Sequence, residues 1–510
     1  MNDPAALARS VLCVGFPGAR IADAPLDALR AFAPGGVILF ARNAGERAEV
    51  VELIAAVRAI SALPPLVAVD QEGGRVARFG AELVAELPAA MAVAAAGDVP
   101  ACERLGRLAG RDLARLGVSV DLAPVADLAL HAANAVIGNR SYGADPLRTG
   151  AFVTAFARGL ESAGVAATLK HFPGHGDTSV DSHVALPRLL ADEPHARDRD
   201  LVPFAAAIAA GAASIVMPAH ALTPFDPGRP ATTSARVLRD LLRGELGFEG
   251  VIATDDLEMD AIATGIGTVA GAVAALAAGA DLLLVSHRLE LAHATAQAIA
   301  RAVESGALPR ARLEDAALRV RRLRERLARP APPVDVDPGE PLRIAQRAVT
   351  CVRGTLRLRT GKPVTVISFE GAPHDGAAGP RAQTPSLSAA LRLRRWQSEL
   401  MRVALEPDAE DLELLLAHLP ALGDRNFVVV TRAAHRFPAQ AAAANAILAA
   451  VPDALLISAR EPYDVACFPA ARNLACIYGD ERISLEGCAD VLAGRAEAGG
   501  TLPVDGFALR

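Results

Sequence analysis

A (β/α)8 TIM-type barrel followed by a smaller C-terminal α/β sandwich domain is the α/β fold that this sequence of 510 residues predicts. Three observations carry that expectation. Over the first 330 residues, short β-branched runs alternate with longer helical patterns eight times. A proline-rich stretch then interrupts the alternation. Beyond it, strand and helix patterns resume over a shorter length.

The eight runs occupy residues 11–14, 36–41, 66–70, 118–121, 166–170, 214–217, 251–254 and 282–286. Segments with apolar residues at i, i+3 and i+4 lie between or after them, as at 48–60 and 313–327. Strands that alternate with helices pair in parallel, and eight such units close a barrel; an open doubly wound sheet is the alternative. The most apolar stretch, 269–285, is broken by Gly271, Gly279 and Asp281. It reads as a helix over 269–278 and a buried strand over 281–286, not as a membrane span.

Residues 329–341, RPAPPVDVDPGEP, hold five prolines and few apolar anchors, the composition of a semi-rigid linker. The expected division is therefore a catalytic barrel over 1–330, a linker over 331–341 and a second domain over 342–510. In that domain, 364–369, 427–431, 455–458 and 475–478 read as strands, and 438–450 and 484–492 as helices. It carries no phosphate-binding glycine signature and no obvious charged constellation. Cys467, Cys476 and His435 read as packing or surface residues.

Composition excludes several function classes. Apolar residues make up 52% and charged residues 22%, which is globular rather than disordered. The net charge of −6, without a long Lys/Arg block, argues against nucleic acid as a partner. Cys13, Cys102, Cys351, Cys467, Cys476 and Cys488 form no CxxC spacing and are expected to be reduced thiols. Met1-Asn2-Asp3-Pro4 is not the basic start of a secretory signal, so a cytoplasmic location is expected.

The chemistry-bearing residues collect at one end of the predicted barrel. Asp70, Lys170, His171, His220, Asp255, Asp256, Ser286 and His287 all fall at or just after the C-terminal ends of strands, where barrel active sites are built. The densest cluster, KHFPGHGDTSVDSH at 170–183, packs three histidines and two aspartates into fourteen residues. Its glycines and proline make it a loop over the mouth. Two readings compete there. His171, His175, Asp177, Asp181 and His183, with Asp255, could ligate a metal. Alternatively, Asp181 and His183 form a proton-transfer dyad in which the carboxylate orients the imidazole. Residue types and spacing leave both open.

A second cluster, TDDLEM at 254–259, places Asp255 at a strand tip facing the barrel axis, where it could ligate a metal or attack an anomeric carbon. Asp256 is the better candidate for capping the following turn. The third, VDQEGGRVARF at 69–79, ends a strand in Asp70, and its Gly73-Gly74 pair allows a tight turn. With GNRSYG at 138–143, it supplies the carboxylate and guanidinium groups of Asp70, Arg78 and Arg140.

These four motifs, in their chain order of 69–79, 138–143, 170–183 and 254–259 on these barrel positions, resemble glycoside hydrolase family 3, most closely its bacterial β-N-acetylglucosaminidase branch. The likeness runs from about residue 10 to 330, and IYGD at 477–480 through TLPV at 501–504 resembles the second domain more loosely. It implies Asp255 as nucleophile and His183, paired with Asp181, as general acid/base. It further implies Asp70, Arg78, Arg140, Lys170 and His171 as residues holding a terminal N-acetylglucosamine, and an enzyme without metal or cofactor. On this likeness the glycines near His175 let the loop deliver His183 to bound substrate. The expected substrate is a small glycoside or cell-wall fragment cleaved by a retaining double displacement. A phosphorylase that passes the sugar to inorganic phosphate is the alternative, since a histidine does not repel an anionic acceptor. A metal-dependent barrel hydrolase and a non-catalytic sugar-binding barrel are the further readings.

Overall fold

The computed structural model describes residues 3–178, 186–330, 332–371 and 385–504. Eight parallel strands close a barrel: β1 (Leu12–Val14), β2 (Gly36–Leu39), β3 (Leu66–Val69), β4 (Val120–Asp121), β5 (Ala166–Phe172), β6 (Ile215–Pro218), β7 (Val251–Asp256) and β8 (Leu282–Val285). Each pairs with its neighbours in sequence, and β8 returns to β1 with Leu12 opposite Leu283. All eight expected runs form strands, displaced by a residue or two at their ends.

The two-residue period of the strands divides the core in two. Cys13, Ile38, Leu66, Ala68, Val120, Ala166, Ile215, Met217, Val251, Ala253, Leu282 and Leu284 fill the barrel interior. Their neighbours, such as Val14, Val37, Val67, Val69, Leu169, Val216, Ile252 and Leu283, pack outward into the main core. Val320 and Leu323, from the helix Arg310–Leu327, join the interior cluster and stopper it. Asp281, fully buried just before β8, accepts from Arg243 and Arg312 at 2.5 Å each and from the Ile252 amide at 2.9 Å. That carboxylate ties the last strand to its flanking helices.

Helix contacts outside the barrel depend on glycine. A Cβ on Gly106 would lie 2.3 Å from the Phe156 carbonyl, and one on Gly159 would lie 2.2 Å from the Glu103 carbonyl. The helices Val99–Leu116 and Pro146–Ser162 therefore meet backbone against backbone. Their starts are capped by Asp98 and Asp145, with Pro100 and Pro146 in the first turns. No helix among the described residues is long and apolar enough to cross a membrane.

The second sheet has six strands: β9 (Thr350–Arg353), β10 (Val364–Glu370), β11 (Ser398–Ala404), β12 (Asn426–Thr431), β13 (Leu455–Ser458) and β14 (Asn473–Cys476). Their order is β9-β14-β13-β12-β10-β11, with only the β9–β14 pair antiparallel. The two edge strands, β9 and β11, were not legible in the sequence. β11 carries Glu399 and Arg402 among its apolar residues and is only partly buried.

This domain holds a charged constellation that was not obvious in the sequence. Arg432, only 2% exposed, donates Nε to Asp480 at 3.1 Å, and Arg460 reaches the same carboxylate at 3.3 Å. Such scattered arginines and acids converge only once the sheet forms. His435 lies at the junction with the barrel: its Nδ1 is 2.8 Å from Asp464, and its Nε2 donates to the Ala132 carbonyl at 3.1 Å. Cys476 is buried and Cys467 partly so.

Candidate active site

At the barrel mouth, Lys170 on β5 bridges two carboxylates on the β3 side. Its Nζ is 2.8 Å from Asp70 and 2.7 Å from Glu72. Arg140 donates Nε and Nη2 to the two oxygens of Glu72 at 2.9 and 2.7 Å, and Nη1 to the Val136 carbonyl at 2.9 Å. Arg78 lies 3.4 Å from Asp70. Burial alone would raise both carboxyls. The Arg140 and Lys170 cations instead hold Glu72 well below the usual range, and Lys170 with Arg78 depresses Asp70. Arg140, Lys170 and Glu72 are almost wholly buried, whereas Asp70 and Arg78 keep some exposure.

Asp121, at the end of β4, has the opposite balance. Its Oδ1 accepts the Gln71 amide at 2.9 Å. Full burial, reinforced by the charges of Asp70 and Glu72, nevertheless pushes the carboxyl up to about 8.

A second system orders the start of the loop after β5. Asp127, fully buried, accepts the His171 Nδ1 at 2.6 Å and the His175 amide at 2.7 Å. Burial favours its neutral form, but His171 and His175 hold it below the usual range. Asn134 donates to the carbonyls of His175 and Gly176 at 3.0 and 3.2 Å, and His175 Nδ1 lies 2.9 Å from the Thr178 hydroxyl. Burial, with the neighbouring His171, takes the His175 imidazole down to about 4. Asp177 pairs with His131 and Arg199 and accepts the Ala191 amide at 3.0 Å. Of the residues weighed as metal ligands, His171, His175 and Asp177 are thus turned to three different partners. The expected dyad, Asp181 and His183, lies outside the described residues.

Asp255 occupies the expected place at the tip of β7. Its Oδ1 accepts the Asp256 amide at 2.8 Å. Burial would raise this carboxyl, yet the nearby His220, His171 and Lys170 and the Asp256 N–H hold it at about 2. The group is therefore ionised at neutral pH. His220, from the end of β6, donates Nε2 to the Asp256 carbonyl at 3.0 Å, and burial lowers its imidazole. Asp256 serves the turn: it accepts the Glu258 amide at 3.1 Å and the Ser286 hydroxyl, with His287 Nε2 at 3.1 Å.

Sequence reading passed over several residues of this arrangement, Glu72, Asp121, Asp127 and Asn134 among them. Glu72 lies two positions after Asp70, the spacing that keeps side chains on one face of extended backbone, and that was a usable signal. Asp127 had none, because its partners come from a loop 44 positions away.

Fold and site together define a barrel enzyme with an ionised carboxylate at its mouth, beside buried histidines and a lysine–carboxylate chain. Residues 12–323 match the glycosyl hydrolase family 3 N terminal domain. The chain belongs to glycosyl hydrolase family 3 and is a glycoside hydrolase. It is 42% identical over 287 residues to a β-hexosaminidase of Stenotrophomonas maltophilia (strain K279a), covering 54% of this chain and 83% of that protein. It is 47% identical over 256 residues to a β-hexosaminidase of Pseudomonas aeruginosa (strain LESB58), covering 49% and 74%. Over both domains it superposes on a glycoside hydrolase family 3 β-N-acetylglucosaminidase from Paenibacillus sp. str. FPU-7 with a TM-score of 0.90, at 35% identity and 98% coverage of each chain. A β-N-acetylhexosaminidase from Beutenbergia cavernae DSM 12333 matches at 31% identity and a TM-score of 0.57, spanning 64% of this chain and 99% of that one.

Proposed function

We propose that this enzyme is a retaining exo-β-N-acetylglucosaminidase that releases terminal β-linked N-acetylglucosamine, with cytoplasmic cell-wall fragments as its natural substrates. The observation that carries the reading is the Asp255 carboxylate, held ionised at about 2 at the strand tip. A poor base that stays charged is suited to attack an anomeric carbon and form a glycosyl ester. The similarity to β-hexosaminidases and to the Paenibacillus enzyme supports the sugar assignment.

In this reading Asp70, Arg78, Arg140, Lys170 and His171 hold the sugar. Arg140 acts largely by orienting Glu72, and Asp127 by fixing the tautomer of His171 so that Nε2 is the free nitrogen. His183, oriented by Asp181, protonates the departing oxygen and then deprotonates the acceptor. That pairing rests on the sequence resemblance. Residues 1–330 form the catalytic domain, 331–341 the linker and 342–510 the second domain, with no metal or cofactor used.

The test is an assay of the purified protein on an aryl β-N-acetylglucosaminide without added metal, with and without inorganic phosphate. Free N-acetylglucosamine in both buffers is the expected product. Accumulation of N-acetylglucosamine 1-phosphate would make the enzyme a phosphorylase, and the absence of turnover in both would overturn the reading.

A further inference from the structure

The three residues Gly138, Asn139 and Arg140 form one short turn whose two ends face different domains. Arg140 points into the barrel and grips Glu72 with two hydrogen bonds. Its neighbours meet the second domain. Asn139, 1% exposed, donates Nδ2 to the Tyr478 carbonyl at 2.8 Å. Tyr478 presents that carbonyl from a left-handed backbone, φ 60°, which a bulky side chain rarely adopts. Its ring is fully buried and its hydroxyl donates to Thr350 at 2.6 Å, so the conformation is fixed from within that domain. Gly138 abuts Glu461: a Cβ there would lie 2.5 Å from Oε1.

Glu461 is 2% exposed, and neither of its carboxylate oxygens has a hydrogen-bond partner among the described residues. Burial would raise its carboxyl, but Arg436, Arg75, Arg460 and His435 surround it and hold it at about 2. Arg75 in turn donates to the carbonyls of Ala135, Val136 and Ile137 at 2.7, 2.9 and 3.2 Å, the residues leading directly into the turn. The turn is thus held by a hydrogen bond at Asn139, a close contact at Gly138 and the attraction of the Glu461 carboxylate for Arg75, which is itself bonded to the residues before the turn.

We propose that the second domain is a positioning body for the sugar site: through Asn139 and Glu461 it sets Arg140, and through Arg140 the Glu72–Lys170–Asp70 chain. This deepens, and rests on, the reading of that chain as the sugar-binding wall. Asn139 and Glu461 are positioning residues, since neither reaches the mouth itself.

The test compares full-length wild type, Asn139→Ala and Glu461→Gln on an aryl β-N-acetylglucosaminide, with free N-acetylglucosamine as competitive inhibitor. A displaced Arg140 weakens sugar binding in ground and transition states alike. KM and the inhibition constant should therefore rise together, by about tenfold, with kcat within about threefold of wild type. A merely structural role would reduce the amount of active protein or its Tm and leave KM and the inhibition constant unmoved, and that result would overturn the proposal. Glu461→Gln keeps the side-chain volume, so it carries the test if Asn139→Ala does not fold. A wild-type chain that neither cleaves nor binds would bring down the sugar reading and the proposal together; a normal wild type with unchanged variants would bring down the proposal alone.

Discussion

Lys170 and Glu72 form an ion pair 2.7 Å apart, with side chains only 4% and 6% exposed. A pair so far from water is not simply a stabilising contact, because removing both charges from solvent costs nearly what their attraction returns. Its asymmetry is what matters: losing one partner strands the other.

Lys170→Met should therefore destabilise the fold by about 3–5 kcal/mol, since Asp70 and Glu72 would be left as buried anions with Arg78 and Arg140 alone. Adding Glu72→Gln should recover part of that loss. Urea unfolding of the single and double variants checks this. A double variant less stable than Lys170→Met would contradict the account.

Asp255→Ala should lower kcat by about 10⁴-fold or more if the carboxylate is the nucleophile. Azide entering the space left behind should restore turnover and give an α-glycosyl azide. In the wild type, a carboxyl held at about 2 confines its acid limb in kcat/KM to below about pH 3. An acid limb centred in the ordinary carboxylate range, about 4, would count against the depressed group.

Asp121 makes stability depend on pH in the opposite sense from a salt-bridged aspartate. Its folded carboxyl titrates at about 8, whereas an unfolded aspartate titrates at about 3.9. The folded chain holds the extra proton between those values, so this contribution is complete below about pH 4 and lost as pH rises through 8. Asp121→Asn keeps an oxygen for the Gln71 amide and removes the titration. Its Tm should fall less than that of wild type between about pH 5 and 8; parallel curves would show that Asp121 is not the group.

Gly176→Ala would place a methyl 1.9 Å from the Leu128 carbonyl, a contact that only backbone movement relieves. Because Asp127 and Asn134 fix His175 on one side of that contact, the loop must shift relative to His171. A misplacement of this order should cut kcat by about 10²-fold. Steady-state kinetics with a parallel Tm measurement tests this: normal kcat with a large Tm loss would assign the glycine to stability alone.

Much of the fold was legible because barrel strands announce themselves locally. Runs such as LVAV at β3 and LLLV at β8 are buried on both faces and bounded by polar residues, so no tertiary knowledge is needed to see them. Asp70, Lys170, His171 and Asp255 were legible as strand-end residues for the same reason. Edge strands β9 and β11 were not, since partial exposure mixes polar residues into their pattern. Asp127 and the Arg432–Asp480–Arg460 cluster were hidden by distance along the chain: their meaning comes from partners that only topology supplies. Arg140 was expected among the residues that hold the sugar; its bond to Glu72, a partner 68 positions away, was not legible.

Asp281, gripped by Arg243 and Arg312 beneath β8, lies at the opposite end of the strands from Asp255. Closure of the ring and the proposed cleavage chemistry thus fall at separate ends of the same eight strands. Mutations that remodel the loops at one end leave the fastening at the other untouched. Descendants of such a chain are free to explore new leaving groups, and a laboratory evolution campaign could randomise the upper loops without first having to reinforce the base.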